Sequence, residues 1–167
     1  MSLKVFGILE FNDELELKTE VELSFLVSTI ALQNKFGVNL GGNIFPGFLK
    51  RGNEYSKKIY FELTDDPMDI NAECLFAGDN VTVKVNDVQI NNEESLASRM
   101  IRVQNFLEEL LKIKNTIRII LDIDALNIDE NLIDIIKINV KDFQSKMIDL
   151  YKLNNNWEPT VRIILIN

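Results

Sequence analysis

The chain has 167 residues, 46% hydrophobic and 26% charged, with a net charge of −8, the composition of one ordinary globular domain spanning 1–167. It has no histidine and one cysteine, Cys74. Histidine-based nucleophilic sites, histidine-ligated or cysteine-cluster zinc and internal disulfides are therefore excluded. The N-terminus lacks a basic segment followed by a long apolar run, and short runs such as Ile119 to Leu121 and Ile163 to Ile166 are far too short to cross a bilayer. The expected protein is soluble and cytoplasmic, with no membrane partner and no cofactor.

Leu3 to Phe11 reads as a strand, closed by a turn at Asn12-Asp13. From Glu14 to Phe25 apolar and polar residues alternate, with Leu15, Leu17, Val21, Leu23 and Phe25 apolar. Period two predicts a half-buried strand to about Val27. A helix competes for the same stretch: Thr19 and Glu22 form a capping-box pattern and Phe36-Gly37 a helix end.

Five of the seven glycines fall between Gly37 and Asn53, which predicts a loop. Phe45 and Phe48 flank Pro46-Gly47 there, and Lys50, Arg51, Lys57 and Lys58 follow. Aromatics among bases can stack on nucleic acid, but the stretch is short and the chain acidic, so Phe45 and Phe48 are read as protein-contact residues and nucleic acid is not expected. Three strands follow, at Lys57 to Leu63, Ile70 to Ala77, and Val81 to Val85 extended to Ile90. Cys74 alternates with Ala72 and Phe76 and reads as a buried structural thiol.

Asn92 is the expected N-cap of a helix running to about Lys114, with Leu96, Met100, Val103, Leu107 and Leu110 as its inward stripe. Ile117 to Ile123 and Thr160 to Ile166 read as central strands, and Asp129 to Leu153 as helical in part, chiefly from Asn139 to Lys152. The sequences Thr116-Ile117-Arg118-Ile119-Ile120-Leu121 and Thr160-Val161-Arg162-Ile163-Ile164-Leu165 echo each other. A helix between them allows a parallel pairing through a right-handed crossover; the other reading is two buried strands of similar composition. The fold class expected is α+β: an antiparallel β-meander in the N-terminal half, and one or two C-terminal helices packed on a mixed sheet.

Two carboxylates at a strand end, Asp122 and Asp124, point the same way in extended chain and are the metal candidates, for a hard cation such as Mg²⁺. A solvated strand end explains them as well, and neither a catalytic residue nor a specific metal site is expected. Trp157, in the turn before the last strand, either plugs the core edge or anchors an interface. Between Glu62 and Glu94 lie nine acids, Asp65, Asp66 and Asp69 among them, against Lys84 alone; the rest of the chain carries seventeen of each sign. Charge segregated in this way, without catalytic motifs, points to a non-enzymatic acidic domain that binds a basic protein, as inhibitors, immunity proteins and antitoxins do. The partner-binding candidates are Asp65, Asp66, Asp69, Phe45, Phe48 and Trp157. Two alternatives remain: a structural subunit or homo-oligomer, and a carboxylate-based enzyme, with or without a metal.

Overall fold

The computed structural model describes residues 4–32, 38, 40, 45–46, 56–64, 81–85, 88–123, 134–154 and 161–167. The first strand, β1 (Lys4–Leu15), alternates as a strand with one face on the core does: Val5, Leu9 and Phe11 are buried, while Phe6, Ile8 and Glu10 on the other face are half-buried. Gly7 belongs to the buried set, and the ring of Phe61 from a neighbouring strand lies where its Cβ would be. Only glycine allows that close approach.

The next segment is a helix, α1 (Leu17–Leu32), which overturns the strand expectation between Glu14 and Val27. Glu20, Val27 and Ala31 are buried, and Leu23 and Ile30 pack on the core beside them. These five recur at helical spacing. A charge on the inward stripe hid the period, and the two-residue alternation instead leaves Val21 and Phe25 on the outer side, with Phe25 70% exposed. Ser24 and Thr29 donate to the carbonyls of Glu20 and Phe25, each at 2.8 Å, so these hydroxyls are satisfied inside the helix.

The predicted glycine loop holds a two-residue strand, β2 (Phe45–Pro46), and Leu40 bridges to Leu63. Next come β3 (Ser56–Thr64), β4 (Val81–Val85) and β5 (Val88–Glu94). The stretch expected as one strand from Val81 to Ile90 is thus two, because Val85 pairs with Val88 and the chain reverses between them. Asn92 belongs to β5. The N-cap of α2 (Leu96–Leu111) is Ser95, whose side chain accepts from the Ser98 amide at 3.1 Å. The predicted strand Ile70 to Ala77, Cys74 included, lies outside the described residues.

Helix α2 has the predicted inward stripe, and Phe106, Gln104 and Arg99 widen it. Its exit turn places Asn115 at φ 69°, a left-handed conformation that asparagine tolerates, and the Asn115 carbonyl accepts from Asn12 at 2.9 Å. Then follow β6 (Thr116–Ile123), β7 (Asp134–Asn139), a 3-10 turn at Val140–Asp142, α3 (Phe143–Asn154) and β8 (Val161–Ile166). Strand β7 occupies a region expected to be partly helical. Gln104 ties α2 to α3: its carbonyl oxygen accepts from the Gln144 amide at 2.9 Å, in the first turn of α3, and Gln144 Nε2 donates to the Ala97 carbonyl at 2.7 Å.

The main sheet runs β2-β3-β1-β6-β8-β7, and β4-β5 form a separate two-stranded sheet. Every pair in the main sheet is antiparallel except β7–β8. The fold is therefore α+β, with an antiparallel N-terminal half and helices packed on a mixed sheet. The echoed strands β6 and β8 are neighbours in the centre of the sheet, but antiparallel, which rules out the parallel pairing that their spacing allowed. Strand β7 comes between them in the chain, and it is β7 that crosses over through α3 to run parallel to β8. The buried residues of the sheet join those of the three helices in one core, where Phe61 and Phe106 meet edge to face at 6.3 Å.

Candidate functional site: the open face of the sheet

A strand that buries one face presents the other. In β3, β1, β6, β8 and β7 the register aligns these outward residues into three rows. The middle row is Tyr60, Ile8, Ile120 and Ile164, ending on Lys137 at the β7 edge. One flanking row runs Lys58, Glu10, Arg118. The other runs Glu62, Phe6, Asp122, Arg162, Ile135. Tyr60 is 41% and Ile135 63% exposed, whereas Ile8, Ile120 and Ile164 are half-buried by their neighbours.

Two fork-to-fork ion pairs brace this face. Arg118 donates from Nε to Glu10 Oε2 at 3.1 Å and from Nη2 to Oε1 at 3.5 Å. Arg162 donates from Nε to Asp122 Oδ1 at 2.6 Å and from Nη2 to Oδ2 at 2.9 Å. Each pair joins directly opposed residues of adjacent antiparallel strands, the geometry in which cross-strand partners lie closest. The two arginines hold the same place in the echoed strands, so the one polar position in each apolar run is a cross-strand tie.

The metal candidates are placed unequally. Both carboxylate oxygens of Asp122 accept from Arg162, a partner that a cation would have to displace. Asp124 lies outside the described residues. Among the described residues no three acidic, cysteine or histidine side chains are grouped to hold a metal ion, and no helix is long and apolar enough to cross a membrane.

Of the partner-binding candidates, Phe45 lies in β2 and pairs with Tyr60, at the end of the middle row. Asp65, Asp66, Asp69, Phe48 and Trp157 lie outside the described residues. Of the acidic segment, Glu62 stands on the open face and Glu93 and Glu94 in β5. The sequence reading missed the three-row face, since rows across a sheet depend on register, which no local pattern fixes. It also missed two buried charges, Arg99 at 2% exposure and Glu20 at 4%; both are engaged by interactions within the fold, as charges so placed must be. No family model, curated protein or solved structure matches the chain.

Proposed function

We propose that this chain is a non-enzymatic, acidic protein-binding domain that engages a basic protein, as an inhibitor or an immunity or antitoxin-like protein does. The observation that supports the reading is where the charge goes. The described outward side chains of the open face carry four bases, Lys58, Arg118, Arg162 and Lys137, against three acids, Glu10, Glu62 and Asp122, a net of +1 on a chain of −8. The acid excess therefore sits elsewhere, in the stretch from Glu62 to Glu94, which carries nine acids against one lysine while the rest of the chain balances. Arg118 is paired with Glu10, which lies outside that stretch. Such a surface attracts basic protein and repels nucleic acid phosphates and anionic lipid.

The test is association kinetics with a candidate basic protein, first that encoded by a neighbouring gene, at low and high ionic strength. Charge reversal at Asp65, Asp66 and Asp69 is expected to lower the on-rate and flatten its salt dependence while the fold stays intact. An unchanged on-rate would refute docking through this segment. Calorimetric titration with Mg²⁺ and Mn²⁺ tests the metal-dependent form of the carboxylate-enzyme alternative, which needs micromolar binding that disappears in Asp122→Asn.

A further inference from the structure

We infer that the open face of the sheet is where two copies of this chain meet, face to face, about a two-fold axis lying along the row Tyr60–Ile8–Ile120–Ile164. The argument rests on the order of residues along the strands. Strand β3 presents Lys58, Tyr60, Glu62 and strand β6 presents Arg118, Ile120, Asp122. Both run base, apolar, acid, and the register puts Lys58 and Arg118 in one flanking row with Glu10 between them, and Glu62 and Asp122 in the other with Arg162 beside them, so the first row carries a net +1 and the second a net −1.

A half-turn about the middle row exchanges those two ends. Lys58 then lies over Glu62 of the second copy, Arg118 over Asp122 and Glu10 over Phe6, while Ile8, Ile120 and Ile164 each lie over its own equivalent. The two flanking rows, net +1 and net −1, thus face each other across the axis, and a patch that meets its own copy in this way can form a closed two-fold interface. Arg118 and Arg162 already satisfy carboxylates within the face, which lowers the cost of drying it. Two chains of net −8 repel, and a near-neutral face is where that repulsion is least.

Five strands about 4.8 Å apart, each contributing about five residues of 3.3 Å rise, give a flat patch of roughly 400 Å² per copy. Even before side-chain relief is counted this reaches the range of small, transient interfaces, so the dimer should be weak and reversible. Sheets packed this way keep their strands within about 30° of each other.

The experiment is sedimentation equilibrium of the purified chain alone from about 1 to 500 μM, a range spanning micromolar to sub-millimolar dissociation constants. The expected result is a reversible rise toward twice the 19.2 kDa chain mass. Ile120→Arg should abolish the rise with the circular dichroism spectrum unchanged. Lys58→Glu and Glu62→Lys should each weaken it at least fivefold, and the two together should restore it, because the half-turn pairs these positions across the interface. A monomer at every concentration, or a dimer indifferent to both Ile120→Arg and the charge swaps, overturns the inference. No basic partner is present in this measurement, so its failure leaves the acidic-surface reading standing, and failure of that reading leaves the dimer standing.

Discussion

Helices α1 and α2 are each 16 residues long and pack against each other, yet only α2 declares itself in the sequence. Its stripe of Leu96, Met100, Val103, Leu107 and Leu110 is apolar throughout and fully inward. In α1 the inward stripe contains Glu20, while Val21, Phe25 and Leu26 face outward. The difference teaches that a helical period is legible only where hydrophobicity and burial coincide. Where a buried charge and exposed apolar residues trade places, the same residues read equally well as an alternating strand.

The strongest way to break the comparison is to cut each helix where it differs most. Leu107→Ala on α2 removes a side chain that is wholly buried and should cost about 2–5 kcal/mol in urea unfolding; a loss below ~1 kcal/mol would mean that the stripe is not the core contact. Gly7→Ala should follow at about 1–3 kcal/mol, because its Cβ would collide with the Phe61 ring that α2 holds through Phe106. Phe61→Leu added to Gly7→Ala should recover part of that loss, and strict additivity of the two would show that the ring is not the obstacle. Ser95→Ala, which deletes the cap of α2, should cost about 1 kcal/mol. Phe25→Ser on α1 should shift stability by less than ~0.5 kcal/mol, since the side chain is 70% exposed. A thermal melt of that variant sharpens the contrast, and a drop comparable to that of Leu107→Ala would show that α1 is covered in solution.

The open face and the buried face of the sheet repeat this lesson. That Ile117 to Ile123 and Thr160 to Ile166 are strands follows from apolar runs alone, but that Ile119, Leu121 and Ile163 turn inward does not, since Ile120 and Ile164 on the open face are as apolar. The ion pairs Arg118–Glu10 and Arg162–Asp122 join residues 108 and 40 positions apart, and nothing local to any of the four announces its partner. An arginine at matching places in two echoed strands was visible; which carboxylate meets it was not.

Composition and local pattern by themselves determined the fold class, the edges of β6, β8 and most of β1 and β3, the position of α2, and the chemistry that a chain with no histidine and one cysteine cannot perform. Those properties depend on residue type and short-range period, which the chain carries wherever it folds. Tertiary structure alone decided that Glu14 to Val27 holds the start of a helix, that β6 and β8 run antiparallel with β7 at the edge, and that Ser95 rather than Asn92 caps α2. It also decided the candidate site. Three rows of side chains exist only because β1 registers against β3 and β6, and β8 against β6 and β7. Register is fixed by which whole face of a strand is buried, a choice made by the assembled core and not by any one segment.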